Sequence, residues 1–221
     1  LVTYSRGDAT RGLSLTAMGY YGKWNSSDQI PVTALPDVGF YGTLNPTDGG
    51  DSQRYSLQGE WHRQGANSAT AITAYGFYYY LDLFSDFTYY LTDPVHGDQF
   101  EQQDHRWVTG IAAAHTIYSQ WFGRRVENTF GVQVRNDWIH NGLFQTQDRQ
   151  RIDKIDSETG NTLPATTQED RFSDTQFGLY WQNQAQWTEK FRSVLGLRGD
   201  LQYFDVTSLV EPANSGTASK W

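Results

Sequence analysis

The segment Arg54–Arg63, RYSLQGEWHR, alternates apolar and polar residues with a period of two. The apolar or small residues of one parity are Tyr55, Leu57, Gly59 and Trp61, and the polar residues of the other parity are Ser56, Gln58, Glu60 and His62. This period is the primary sequence signal of a β-strand, because successive side chains of a strand point to opposite faces. We therefore predict a strand here with one apolar face and one polar face.

The same alternation recurs along the chain, in residues 11–24, 126–138, 172–187 and 193–203. An α-helix is the competing interpretation, since apolar residues in 126–138 also recur every four positions. In 193–203, however, the helical neighbours of Leu195 are Arg198 and Gly199, and each glycine inside a segment costs a helix about 1 kcal/mol. We therefore predict an all-β fold. Two further segments alternate too poorly for a register to be predicted, namely 69–83 and 107–118.

Short and long connections alternate between these segments. Short turns are predicted at 6–10, 64–68, 123–125 and 188–191, and long connections at 25–53, 85–104, 140–171 and from Thr207 onward. Structureless loops beyond about 15 residues are uncommon in compact soluble domains. A transmembrane β-barrel, in contrast, has tight turns on one rim and long loops on the other.

We therefore predict an antiparallel up-and-down meander of about eight strands, a section of a larger transmembrane β-barrel. Residues 1–221 would form part of one barrel domain. A soluble β-sandwich produces the same alternation, so it stays open as an alternative at this point. Asn25–Ser27 also matches a glycosylation sequon, a pattern too short to carry a prediction.

Composition excludes several classes of function. No stretch reaches the roughly 18 uninterrupted apolar residues of a spanning helix, and the mean hydropathy is -0.65. The chain has 17 basic against 25 acidic residues, so it lacks the basic surface of a nucleic-acid-binding protein. It has no cysteine, hence no disulfide framework, thiolate metal site or cysteine nucleophile. No Ser/His/Asp constellation, nucleophile-elbow motif or phosphate loop is found, so we predict neither an enzyme nor a cofactor.

Aromatic residues cluster near the predicted strand ends. Trp and Tyr are enriched where a bilayer meets water, because one end of each ring is apolar and the other end is hydrated. We therefore predict two aromatic belts. The candidate membrane-interface residues are Trp24, Trp61, Trp107, Trp121, Trp138 and Trp187. The alternative is that these rings fill the core of a sandwich.

Three stretches resemble characteristic segments of TonB-dependent outer-membrane receptors. They are LDLFSDFTYYLTDPVHGDQFEQQDHR at 81–106, IPVTALPDVGFYGTLNPTDGGDSQRYSLQGEW at 30–61, and SVLGLRGDLQYFDV at 193–206. The resemblance implies a barrel of about 22 strands, an N-terminal plug domain inside it and a segment that engages TonB. It places the protein in the outer membrane of a Gram-negative bacterium, in contact with lipid. No plug and no TonB-engaging segment is found here, so we expect an excerpt of a longer polypeptide that contacts both partners through missing segments.

Five loop aromatics are the candidate ligand-binding residues: Phe40, Tyr41, Phe87, Tyr89 and Tyr90. Aromatic rings suit flat chelates and sugar rings, although the same rings can simply pack one loop against another.

A second group of residues lies in the loop around residue 100 and has the side-chain chemistry of metal ligands: Asp93, His96, Asp98, Glu101, Asp104 and His105. Their spacing matches no recognised metal motif, so we predict a solvated loop and no metal site.

The resemblance implies TonB-dependent uptake of a scarce ligand such as a ferric siderophore. Two alternatives stay open: a soluble all-β carbohydrate-binding module and a passive outer-membrane pore.

Within the strands, Arg135, Asp137, Arg198 and Asp200 are expected to line a hydrated wall on the polar face. Exposed ion pairs contribute only about 0 to 1 kcal/mol to stability, so we do not predict that these residues form a strongly stabilising network.

Overall fold

A computed structural model describes residues 1–26 and 28–221. Ser27, the last residue of the sequon, lies outside the described residues. Within them, nine strands form one antiparallel sheet in chain order. These strands are β1 Val2–Gly7, β2 Arg11–Asn25, β3 Gly49–Gln64, β4 Ser68–Ser85, β5 Phe100–Trp121, β6 Arg124–Gln147, β10 Thr166–Gln186, β11 Arg192–Ser208 and β12 Gly216–Lys220.

Three short strands lie in the connection between β6 and β10. Gln150–Arg151 (β7) pairs with the end of β6, and Lys154–Ile155 (β8) pairs with Thr162–Leu163 (β9). The first long connection contains a 3₁₀ turn, Val32–Ala34, and a single turn of α-helix, Leu35–Val38; a second 3₁₀ turn, Pro212–Asn214, precedes β12. Among the described residues, no helix is long and apolar enough to cross a membrane.

The predicted meander is confirmed, because every strand of the main sheet pairs antiparallel with its neighbours in sequence. The sheet does not close within the described residues, since β1 and β12 are its two edges. All tight turns lie at one end, here called the turn end, and all long connections at the other, the loop end. The Phe122–Gly123 turn has positive φ at both residues, 51° and 71°, as a two-residue type I′ hairpin requires.

Several strands run further toward the loop end than the alternation predicts. β3 begins at Gly49, where the connection was expected to last until Gln53, and β6 continues to Gln147 past the expected limit at His140. β5 likewise begins at Phe100 and β10 at Thr166. The backbone hydrogen bonds between strands continue after the apolar residues stop, because strand pairing requires only backbone N–H and C=O groups. Alternation of apolar and polar side chains is expected only where one face of the sheet lies in an apolar environment.

The two faces of the sheet differ as predicted. The apolar face carries Leu13, Leu57, Ile111, Phe177 and Leu197, while the polar face is the opposite side. Leu197 is 71% exposed and Phe177 38% exposed, so no second layer of protein covers this face there. A sandwich would bury these side chains.

The few fully buried side chains lie mainly at the loop end and are mostly polar. Among the described residues the buried hydrophobic set contains only Phe84, Val108, Val126, Ile139, Phe144 and Ala185. The buried polar set is larger and includes Asp48, Asp86, Asp93, Gln99, Thr146 and Lys154. Packing therefore concentrates in the connections at the loop end.

Candidate functional site

Three long connections meet at the loop end and form the candidate site. We call them loop A (26–48), loop B (86–99) and loop C (148–165), and together the loop assembly. The meander brings them to one end of the sheet, because every second connection of an up-and-down sheet returns to the same edge. Hydrogen bonds between side chains and backbone groups then tie the three loops together.

Two aspartates shape loop B. Asp98 accepts hydrogen bonds from the Thr88 hydroxyl and from the backbone amides of Leu91, Thr92 and Asp93. Asp93 caps the next turn and accepts the Ile155 amide of loop C at 3.1 Å. Although burial opposes the charge, hydrogen bonds from His96 and from backbone amides hold the pKa of Asp93 well below its usual range. Both aspartates therefore act as turn-forming acceptors.

Lys154 joins loop C to loop B from a buried position. Its Nζ donates to the carbonyl oxygens of Gly97 at 2.6 Å and Gln99 at 2.8 Å. Burial lowers the pKa of this lysine, against the opposing charges of Asp98 and Asp86. A buried lysine with two carbonyl acceptors fixes the position of both loops, because leaving those carbonyls unpaired would cost free energy.

Gln99 connects loop B to loop A and to the end of β6. Its amide nitrogen donates to the Thr47 hydroxyl at 2.8 Å and to Asp48 Oδ1 at 2.9 Å. Its amide oxygen accepts from the Thr146 hydroxyl at 3.2 Å and from the Arg149 amide at 2.9 Å. A single side chain thus holds four partners from three chain segments.

Arg149 completes the link between loops A and C. It lies in the Asp148–Arg149 turn, where both residues have positive φ. Its Nε donates to the Thr47 carbonyl at 2.5 Å and its Nη2 to Asn25 Oδ1 at 3.0 Å. The guanidinium carbon also lies 5.2 Å from the centre of the Phe84 ring, a cation–π contact.

Three carboxylates lie close together beneath this link. The Asp86 amide donates to Asp28 Oδ2 at 2.7 Å, and Asp48 Oδ2 is buried without a hydrogen-bond partner. Burial, together with the charges of Asp28 and Asp86, raises the pKa of Asp48 to about 6. Asp48 therefore exchanges its proton closer to neutral pH than an ordinary aspartate does.

The residues with metal-ligand chemistry do not converge. Among the residues that the structure describes, no group of three or more His, Cys, Asp or Glu side chains is arranged to hold a metal ion. Asp93 pairs with His96, and Glu101 pairs with Arg151 at 2.8 Å. Of the remaining candidates, Asp104 pairs with Arg106, His105 pairs with Asp82, and Asp98 accepts hydrogen bonds within loop B.

The five predicted ligand-binding aromatics separate into two groups. The Tyr89 hydroxyl donates to the Gln29 carbonyl at 2.9 Å, and the Phe87 ring packs 5.4 Å from that of Phe100, so these two rings join parts of the loop assembly. Phe40 and Tyr41 form an edge-to-face pair at 5.1 Å and are 78% and 94% exposed. Tyr90 is also exposed, beside Gly97. Phe40, Tyr41 and Tyr90 thus present free ring surface, and so does Phe87, which is as exposed as Tyr90 although it packs against Phe100.

The predicted interface aromatics lie mostly on the apolar face. Trp107 and Trp138 are direct cross-strand partners there, and Tyr78 and Tyr55 extend the row across β3–β6. Neither tyrosine was predicted as an interface residue. The register of 69–83, which the sequence does not assign, places Tyr78 beside Trp107. At the turn end are Trp61 on β3, Trp121 at the end of β5 and Trp187 directly after β10. Trp24 differs, since its ring lies on the polar face against Gly50.

The apolar face changes character immediately beyond this row. Two residues past Trp107 and Trp138 toward the loop end stand His105 and His140. His105 Nε2 lies 3.1 Å from Asp82 Oδ1, and His140 Nε2 lies 2.7 Å from Glu169 Oε1. These pairs, which were not predicted from the sequence, mark a sharp boundary between the apolar and the polar part of this face.

The polar face carries the four residues that are predicted to line a hydrated wall. Arg135 pairs with Asp137 at 2.7 Å and Arg198 pairs with Asp200 at 2.6 Å, each within its own strand. Gln133 of β6 accepts from Arg198 Nη1 of β11 at 3.0 Å, which joins these two strands on the polar face. Arginines whose charge is balanced by a neighbouring aspartate are typical of a surface that faces water or another polar surface.

A meander with one exposed apolar face, an aromatic row along it and all long loops at one end defines a section of a barrel wall. A sequence profile of the family described as "TonB dependent receptor-like, beta-barrel" matches residues 2–221, and the chain belongs to that family. No curated protein matches the sequence. Among solved structures, the fold is similar to that of the ferric citrate transporter FecA in its unliganded form, with a TM-score of 0.70 and 11% identity. The match covers 96% of this chain and 29% of FecA.

Proposed function

We propose that this chain is a wall section of a TonB-dependent receptor that imports a scarce ligand across the outer membrane of a Gram-negative bacterium. The observation that carries the proposal is the exposed apolar face, bounded by the Tyr55–Tyr78–Trp107–Trp138 row and followed directly by histidine–carboxylate pairs. Hydrocarbon would cover this face, while the polar face would line the lumen and meet the plug domain. TonB would act through segments outside this chain, and the protein would transport without covalent chemistry.

The charges of the loop assembly indicate which net charge the ligand has. Loops A, B and C contain ten Asp or Glu residues and three Lys or Arg residues. All three basic side chains have partners within the protein: Arg149 on Thr47 and Asn25, Arg151 on Glu101, and Lys154 on Gly97 and Gln99. An anionic ligand would therefore meet excess negative charge and no unengaged cation in these loops. We infer a ligand without net negative charge, such as a neutral ferric hydroxamate siderophore.

Phe40 and Tyr41 are the proposed first contacts for that ligand. They offer two adjacent rings that are 78% and 94% exposed, whereas Tyr89 joins two loops through its hydroxyl and Phe87 is less exposed, at 63%, and packs against Phe100. Exposed aromatic side chains carry a large share of binding energy at recognition surfaces. Tyr90 is the third candidate, since it is exposed on loop B.

The test measures uptake by iron-starved cells that carry the full-length receptor. We expect energy-dependent accumulation of radio-iron from a neutral ferric trihydroxamate, at least about tenfold above that from anionic ferric citrate, and abolished by a protonophore. Preferred uptake of ferric citrate would overturn the inferred ligand class. Equal uptake with and without the protonophore would instead indicate a passive pore.

The double variant Phe40→Ala/Tyr41→Ala is expected to weaken binding of the same trihydroxamate about tenfold, because truncating exposed aromatic anchors removes roughly 1.4 kcal/mol or more. Equilibrium binding to the purified receptor measures this change. Phe122→Ala is the matched control, since Phe122 is equally exposed but lies in a turn at the opposite end of the sheet. Unchanged affinity in the double variant would remove these two rings from the site.

A further inference from the structure

Three arginines gather on the apolar face at the turn end of the first three strands. Arg6 of β1 is the cross-strand partner of Leu13, and Arg11 of β2 is the direct partner of Arg63 of β3. All three arginines are exposed. They share the parity of Leu13 and Trp61, so they project from the same side of the sheet as the apolar residues.

The side-chain charges of these arginines are not neutralised by ion pairs in the described part of the chain. Among the described residues, none of the three takes part in an ion pair within 4.0 Å. The carboxylate nearest in sequence is Asp8, whose Oδ1 accepts from the Thr10 hydroxyl and from the backbone amides of Thr10 and Arg11. Like charges directly opposite each other in an antiparallel pair are destabilising. Hydrogen bonds from Thr10 and Arg11 lower the pKa of Asp8, and Asp8 lies near enough to Arg11 that the charge of this arginine helps to lower it. One such carboxylate does not balance the facing Arg11 and Arg63 guanidinium groups, so an anion from outside the chain would stabilise the pair.

The neighbouring side chains indicate where that anion lies. One step further into the sheet are Leu13 and Trp61, followed by Leu15 and Tyr4. From the turn end inward, this surface thus carries arginines, then a tryptophan, then aliphatic residues. The same order is found across one leaflet of a bilayer, from the headgroups through the interface to the acyl chains. A soluble anion would gain nothing from the apolar part of this surface.

Arginines elsewhere on the turn end are arranged differently. The β5–β6 hairpin has one arginine on the apolar face, Arg124, and turns Arg125 to the polar face, where it pairs with Glu127 at 3.0 Å. Arg192 begins β11 on the polar face. Among the described strands, the cluster of three is thus confined to β1–β3.

We propose that Arg6, Arg11 and Arg63 bind the phosphate headgroup of an anionic phospholipid in the periplasmic leaflet, with its acyl chains against Leu13, Leu15 and Trp61. Arginine suits this role because its planar guanidinium binds phosphate oxygens in a bidentate manner. The turn end is the periplasmic side, because outer-membrane barrels have their short turns there. The proposal rests on the membrane placement given under the proposed function.

The test titrates the delipidated full-length receptor with dioleoylphosphatidylglycerol and follows bound lipid by native mass spectrometry. We expect wild-type receptor to prefer this lipid over dioleoylphosphatidylcholine, and Arg11→Gln/Arg63→Gln to lose about 30-fold in affinity for it. Inorganic phosphate at equal concentration should not displace the lipid.

Matched variants separate the site from a general charge effect. Arg125→Gln/Arg192→Gln removes the same charge from the same rim on the polar face, and we expect its lipid affinity to equal that of wild type. If the first variant fails to fold, Arg11→Lys/Arg63→Lys replaces it in the titration. Because lysine keeps the charge but loses the bidentate contact, we expect a loss of lipid affinity smaller than 30-fold but clearly larger than that of the polar-face variant. Equal losses in both glutamine variants, or no preference for the anionic lipid in the wild type, would overturn the proposal. A receptor that stays monodisperse without detergent would instead contradict the membrane placement itself.

Discussion

Leu197→Arg is expected to lower the free energy of unfolding of the intact barrel by about 2 to 4 kcal/mol in bilayers, the cost of an arginine on the lipid-facing side near the midplane. Leu197 lies opposite Trp181 on the apolar face and has most of its surface free of protein contacts. In water such an exposed position would tolerate arginine with a change within about 0.5 kcal/mol. The size of the effect therefore reports the surroundings of this face.

Denaturant unfolding of the full-length receptor in lipid vesicles measures the change. The matched control is Gln182→Arg, because Gln182 lies on the neighbouring strand with its side chain exposed on the polar face. We expect the control to change stability by less than about 0.5 kcal/mol. Equal costs at the two positions would contradict a lipid-facing apolar surface.

Lys154→Met is expected to release loop B from loop C and to speed amide hydrogen exchange in residues 92–99 by about tenfold or more. The substitution keeps the length of the side chain but removes the donor to the Gly97 and Gln99 carbonyls. Each buried carbonyl left unpaired costs about 1 to 3 kcal/mol, and about 1.4 kcal/mol of local opening free energy is a factor of ten in exchange.

Hydrogen exchange with mass spectrometry on the full-length receptor resolves the two regions. Strand amides in 193–203 should exchange at the wild-type rate, because the substitution acts on the loop assembly alone. Lys190→Met is the control, since Lys190 is exposed in a tight turn at the other end of the sheet. Wild-type exchange of loop B in the Lys154 variant would show that this lysine does not hold the loops together.

The sequence predicts the strands well where one face is apolar and the other polar. RYSLQGEWHR at 54–63 and SVLGLRGDLQY at 193–203 lie within β3 and β11, with the predicted residues on each face. The alternation stops at the aromatic row because beyond Trp107 and Trp138 the same side of the sheet carries histidines paired with carboxylates. Periodicity therefore underestimates the length of strands that extend past the apolar zone.

The loop assembly is harder to predict from the sequence. Gln99 and Thr47 are 52 positions apart, and Arg149 and Thr47 are 102 positions apart. Such contacts depend on the meander that brings three connections to one end, and no local pattern marks Lys154 or Gln99 as a buried donor. The aromatic and acidic residues of loop B attract notice in the sequence, yet Tyr89, Asp93 and Asp98 mainly serve to build the loop itself.

Nitroxide labels placed one at a time along Ser193–Tyr203 of the full-length receptor in bilayers would show which side of the sheet meets hydrocarbon. The absence of cysteine from this chain makes each label position unique within it. We predict that labels at 195, 197 and 201 collide with oxygen dissolved in the lipid, and that labels at 198, 200 and 202 collide with a water-soluble nickel chelate. Uniform access of the nickel chelate to both sets, or the opposite alternation, would contradict a wall with lipid on its apolar side and water on its polar side.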